Sequence, residues 1–245
     1  MKKRFVLFFL LFSVLAISIA NAHEDEQNFG PDSPPYPISQ LEAVGYGSLA
    51  FIIICFCILY FNSKMTEMVK KLTYSLLLIV VVFVSLYLAI TTIHTNLISF
   101  TKGPVHWHAD YEIWICNQEI SLPEPKGMSN ELGTDTLHSH NDNRIHVEGA
   151  LMGPKQASLG AFFNAIGGYL SDDELKVNAD NGLIAKHNGD FCNDQPAKLY
   201  VFVNGQLIND PSNYVIAPYE KVPPGDKIKF IFTEMSMQDV NPNIS

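Results

Sequence analysis

Five of the eight histidines in this 245-residue chain lie between positions 106 and 146: His106, His108, His138, His140 and His146. Neutral imidazole offers a nitrogen lone pair to a metal, and its proton comes and goes near neutral pH. Four of the five form His-x-His pairs, His106-Trp-His108 and His138-Ser-His140. On an extended strand alternate residues face the same side, so each pair sets two imidazoles in line. The first row continues through Asp110 and Glu112, and His146 shares its face with Arg144 and Glu148. Nitrogen ligands converging from two or three extended segments suit Zn, Cu, Ni or Fe far better than Mg or Ca. The expectation is one transition-metal ion, Zn or Cu first, with Fe or Ni also admissible. Carboxylates here are direct ligands or acceptors that fix a histidine tautomer. The competing reading is a polar or pH-responsive network without metal.

Cys192, in the loop Asn188-Gly-Asp-Phe-Cys-Asn-Asp194, is the sixth candidate ligand. In an oxidising compartment it can instead form a disulfide with Cys116, and both alternatives stand. Cys55 and Cys57 sit in an apolar block and read as small apolar residues. His94 reads as an interfacial residue and His187 as a solvated loop residue. Were the chain cleaved after Ala22, the free amino group and imidazole of His23 could chelate copper together; the competing reading is the first residue of an acidic tail.

The elements that position these residues are partly visible. His106 to Cys116 is rich in aromatic and branched residues and ends in a turn at Asn117-Gln118, while Arg144 to Glu148 alternates with period two. Both read as strands. Ala157 to Leu170 carries Leu159, Phe162, Phe163 and Ile166 at helical spacing, which predicts a helix. Asn204-Gly205 between apolar runs predicts a hairpin over Lys198–Ile208, and Lys227–Phe232 a last strand. The order is strand pair, helix, strand pair, an α+β domain of β-grasp-like form over residues 97–245.

Ahead of it lie three uncharged apolar blocks. Met1-Lys-Lys-Arg4, an apolar run and Ala20-Asn-Ala22 read as a signal peptide over 1–22. Residues 23–44 form an acidic, proline-rich exterior linker. Residues 45–61 and 73–93 read as transmembrane helices, joined by a cytoplasmic loop over 62–72 that carries Lys64, Lys70 and Lys71. Positive charge stays inside, so the linker and the C-terminal domain are expected outside the cytoplasm.

Composition narrows the function. The chain is 47% hydrophobic and 17% charged, with a net charge of −9. Without clustered basic residues, nucleic acid is excluded as a partner. The expected partners are the lipid bilayer, the metal ion and other membrane subunits. No Gly-x-Ser-x-Gly elbow, phosphate loop, Gly-x-Gly-x-x-Gly or His-Glu-x-x-His occurs, so the common hydrolase, nucleotide and zinc-protease signatures are missing.

Gly103 to Glu112 resembles part of the first cupin motif, but the glycine before the first histidine is displaced, and Glu119 stands where the closing glycine belongs. Two spans before an exterior β-rich domain also resemble subunit II of haem-copper oxidases; the paired cysteines of its copper centre are missing here. A fuller resemblance runs through His106-Trp-His-Ala-Asp110, Leu137-His-Ser-His-Asn-Asp142, Ile145-His-Val-Glu148, Ser158-Leu-Gly-Ala-Phe-Phe163 and Tyr200-Val-Phe-Val-Asn-Gly205. This order of motifs is similar to that of a group of poorly characterised, membrane-attached prokaryotic exterior proteins, and implies shared histidine chemistry. The first functional expectation is metal binding, for sensing, buffering, delivery or structure. The alternatives are a metal-dependent enzyme, hydrolytic or cupin-like, with Asp110, Glu112 or Glu148 as base, and a structural subunit of a larger membrane complex.

Overall fold

The computed structural model describes residues 36–126, 130–216, 225–236 and 240. The expected signal peptide, His23 and the linker as far as residue 35 lie outside them. The chain divides into two compact units between Leu97 and Ile98.

The first unit is a pair of helices, α1 (Gln40–Phe61) and α2 (Glu67–Ile98), joined through a short 3-10 turn at Asn62–Lys64. Both are long and apolar enough to cross a membrane. α1 begins with a reciprocal cap: the Ser39 hydroxyl accepts from the Glu42 amide and the Glu42 carboxylate from the Ser39 amide, which satisfies two otherwise orphaned donors. The helices extend beyond the charge-free blocks. Lys70 and Lys71 fall inside α2, with Lys70 paired to Glu67 at 2.9 Å one turn earlier. A charged side chain ends an apolar run but leaves the backbone hydrogen bonding of a helix intact. The helices approach closely at Gly47, where a Cβ would lie 2.4 Å from Val84 Cγ2, the small-residue contact that membrane helices favour. Side chains such as Leu59, Leu78 and Phe83 are exposed. His94 holds the Tyr36 hydroxyl at 2.7 Å through Nδ1.

The second unit is α+β. Its strands are β1 (Val105–Ile115), β2 (Gln118–Glu119), β3 (Leu132–Gly133), β4 (Leu137–Ser139), β5 (Arg144–Gly149), β6 (Tyr169–Leu170), β7 (Glu174–Ala179), β8 (Gly182–His187), β9 (Phe191–Cys192), β10 (Gln195–Pro196), β11 (Lys198–Val203), β12 (Gln206–Leu207) and β13 (Asp226–Thr233). The main sheet is mixed, in the order β12-β11-β13-β1-β5-β4-β3, with β2 on β1. β1 and β13 are parallel; β1–β5 and β4–β5 are antiparallel. Helix α3 (Leu159–Ala165) packs on one face: Phe162 lies against Tyr111 and Phe163 against Phe230, with ring centroids 5.7 and 5.0 Å apart. The core-facing residues of the paired strands include Ala109, Tyr111 and Ile113 on β1 and Ile145 and Val147 on β5.

The expected helix over Ala157–Leu170 is shorter than its apolar spacing suggests. Ser158 is its N-cap and accepts from the Ala161 amide, and the chain leaves the helix at Gly167, where φ is +77°. At Gly168 a Cβ would stand 2.4 Å from the Lys176 carbonyl oxygen, so the chain turns there straight into β6. The separate β6-β7-β8 sheet was not foreseen; it places His187 on a strand instead of in a loop.

Candidate metal centre

The site is built on the three adjacent strands β1, β5 and β4. In register, His146 on β5 is opposite His108 on β1 and opposite His138 on β4. Cross-strand partners stand about 5 Å apart, so these three imidazoles form one row across the sheet. Alternation puts the row on the face turned away from α3, since Ile145 and Val147 take the core face of β5. His106 extends the site two residues along β1, and His140 follows β4.

All five expected histidines are thus brought together. Ring centroids of His106 and His108 are 4.5 Å apart, His108 and His146 4.6 Å, His140 and His146 4.7 Å, and His138 and His140 4.8 Å. His138 and His146 stack with an interplanar angle of 5°. Two groups result, His106-His108-His146 and His138-His140-His146; within each, one ligand nitrogen per residue lies within 4.8 Å of the others. Exposure runs from His138, 1% accessible, to His106, which is open to solvent.

The hydrogen bonds around the rings select which nitrogens are free. His138 Nδ1 is 3.1 Å from the Thr134 carbonyl and His140 Nδ1 2.7 Å from the Asn130 carbonyl. A carbonyl only accepts, so both Nδ1 atoms carry the proton and both Nε2 atoms are left as lone pairs. His146 is turned the other way: its Nε2 donates to Asp142 Oδ2 at 3.0 Å. Its Nδ1 is then a lone pair, buried and without a hydrogen-bond partner among the described residues. A buried polar atom without a partner is costly, and an imidazole lone pair is what a metal ion takes up. His106 and His108 bring their Nε2 atoms to 2.8 Å; two cis nitrogens on one ion sit about 3 Å apart, given metal–nitrogen bonds of about 2 Å.

The electrostatics favour the neutral form of two of the rings, His108 and His146. Burial, with the neighbouring charges of His146, His106 and Arg144, lowers the His108 pKa against the opposing pull of Asp142. Burial also lowers His146, outweighing the hydrogen bond and charge of Asp142, with His140 and His138 adding to the downward shift. Burial raises the Asp142 carboxyl, but its bond to His146 and the backbone amides of Asp142 and Arg144 bring it below its ordinary value.

The three carboxylates considered as bases separate clearly. Asp110 is paired with Arg144 at 2.7 Å, and Glu112 with Lys229 at 3.0 Å while also accepting from the Trp114 indole. Glu148 alone of the three faces the imidazoles, 3.2 Å from His106 Nε2 and 3.9 Å from His138 Nε2. Cys192 leaves the set of candidate ligands. Its sulfur is bonded to that of Cys116 across 76 residues, and a disulfide sulfur has no thiolate to give a metal. His187 lies apart from the cluster by its contacts, 3.4 Å from Glu174.

Sequence reasoning passed over Asp142, Thr134 and Asn130, the partners that orient the rings. A signal for the first was present in Asn141-Asp-Asn143 between two histidine segments. Both asparagines take positive φ, +63° and +56°, a conformation asparagine tolerates better than most residues. The turn holds Asp142 beneath His146, with Oδ1 accepting from the Arg144 amide at 3.2 Å. Comparison with protein-family models, curated proteins and solved structures finds no match for the chain.

Proposed function

We propose that this chain is a membrane-anchored, extracytoplasmic protein that binds transition-metal ions, Zn or Cu first, through His106, His108, His138, His140 and His146. The observation that carries the proposal is the tautomer pattern: Thr134, Asn130 and Asp142 each hold one nitrogen of a ring and leave the other as a lone pair within the cluster. Partners of this kind accompany histidine ligands generally. A histidine network without metal would instead be expected to spend those lone pairs on donors. The disulfide supports an oxidising exterior, and the lysines between the two apolar helices support placing their connection inside. In this reading residues 1–22 are a signal peptide and 98–245 the exterior unit. The parallel pairing of β1 with β13 beneath α3 supports a β-grasp-like description of that unit, and the ordered histidine motifs support kinship with membrane-attached prokaryotic exterior proteins.

Binding, for sensing, buffering or delivery, is favoured over catalysis because two of the three candidate bases are committed to ion pairs. An enzymatic role rests on Glu148 alone, 40% exposed beside the rings. The test is elemental analysis of the full chain purified in detergent after growth with Zn, Cu, Fe and Ni, beside a variant with His138 and His146 changed to Ala. Metal in the parent and its loss in the variant is the expected result; substoichiometric metal in both would sink the proposal.

A further inference from the structure

The five histidines form two groups of three that share His146 instead of one group of five. An outer pair stands on each side, His106 with His108 on β1 and His138 with His140 at β4, and the rings of each pair lie 4.5 and 4.8 Å apart. A zinc ion takes about four ligands in all. Five imidazoles with a carboxylate exceed what one such ion uses, and their division across β5 gives each pair its own place. Glu148 lies between the pairs. Its Oε1 is 3.2 Å from His106 Nε2 and 3.9 Å from His138 Nε2, so a single carboxylate oxygen meets one nitrogen from each side.

We propose that the cluster is a two-metal site: one ion on His106 and His108, the other on His138 and His140, with Glu148 as the carboxylate between them. This rests on the metal-binding reading above and sets the number of ions at two, where the sequence led to an expectation of one. His146 supplies Nδ1 to one ion and keeps its Nε2 proton on Asp142. Ions so placed have few protein ligands each, and the open side at His106 leaves room for small oxygen ligands such as water, hydroxide or an oxyanion to complete them. Sites of this type hold two ions about 3.5–4 Å apart and bind oxygen species across both. The side chains needed are already oriented. The two pairs stand on different segments, β1 and the stretch of β4 with the residue after it, so each can be removed without touching the other.

Titration of the metal-free full chain in detergent with Cu(II) ions, followed by equilibrium dialysis and electron paramagnetic resonance, tests the arrangement. Two Cu(II) per chain are expected, and the signal should grow with the first equivalent and fall with the second as the ions couple. Changing both His138 and His140 to Ala, or both His106 and His108, should each leave one Cu(II) with an uncoupled signal. Glu148→Gln should retain two ions with weaker coupling. One Cu(II) in the parent overturns the two-metal site while sparing metal binding, and no Cu(II) or Zn(II) bound at all overturns both. Two Cu(II) in the parent, with a signal that falls at the second equivalent, decide the matter even if a variant fails to fold. Two with undiminished signals, one of them on the amino-terminal His23, overturn the two-metal site.

Discussion

At the scale of single residues, Asp142 matters more than its position in a surface turn suggests. It fixes the His146 ring by accepting from Nε2 and so leaves Nδ1 as the buried lone pair. Asp142→Asn keeps the size but turns a full acceptor into an amide that can also present N–H to the ring. Loss of such a supporting partner costs about 10–100-fold in metal affinity. Competition against a chromophoric chelator should show that loss, with the unfolding temperature of the metal-free protein changed far less. The lowered pKa values of His108 and His146 set a pH dependence of known sign. An unfolded histidine titrates near 6.5, and these two take up protons less readily when folded. The metal-free protein should therefore keep full stability above about pH 6.5 and lose it as the pH falls through their folded values. Thermal unfolding of the metal-free chain between pH 8 and 5 measures this, and a stability that rises on acidification would contradict it.

At the scale of elements, the hairpin of β3 and β4 is the weakest support of the site and carries one of its most buried rings. β4 has three residues, and its turn is closed by Thr134, which bonds Leu137 through both backbone and hydroxyl. Gly133 has φ +130°, and a Cβ there would stand 2.3 Å from the Leu137 carbonyl oxygen. Gly133→Ala should destabilise the hairpin by about 1–3 kcal/mol and weaken metal retention. Gly182→Ala is the control, because φ is +112° but nothing lies within 4 Å of the added carbon. Equal metal loss in the two variants would contradict the local explanation. The same hairpin shows where sequence reading stops. β1, β5 and the Asn204-Gly205 turn were legible because each shows a full period-two run or a two-residue turn of known geometry. β4 was not, since three residues cannot display a period, and its partner β5 lies across a turn whose register no local signal specifies. The histidine set was legible as residue types, and its meeting point was not: that depends on β5 standing between β1 and β4. The helix was overextended because apolar spacing continues through Gly167 and Gly168, where close backbone packing ends it.

At the scale of the molecule, two independent devices hold the second unit. One is the mixed sheet with its aromatic core of Phe162, Phe163, Phe230 and Phe232. The other is the Cys116–Cys192 bond, which ties the end of β1 to β9 across 76 residues. Cross-links closing loops of that length contribute about 2–5 kcal/mol. Cys192→Ser should lower the denaturation midpoint accordingly while leaving metal stoichiometry unchanged, since the sulfur is bonded to Cys116 and takes no part in the cluster. A variant that lost metal but kept its midpoint would restore Cys192 as a ligand. Charge is also divided between the two parts: residues 97–245 carry 19 acidic and 10 basic side chains, the whole of the net −9, while the first 96 balance at six against six. An acidic unit draws cations toward the imidazole row.

β1 is paired on one side by β5, a near neighbour in sequence, and on the other by β13, whose residues 226–233 come much later in the chain. During synthesis the histidines emerge long before the strand that covers the far side of β1. Until then that side is an open row of amides and carbonyls, the kind of edge on which chains join one another. A shortened version ending after His146, although it would contain all five clustered imidazoles, is therefore a recipe for aggregates. The clustered histidines belong to the first third of the second unit, but its solubility rests on a strand made much later in the chain.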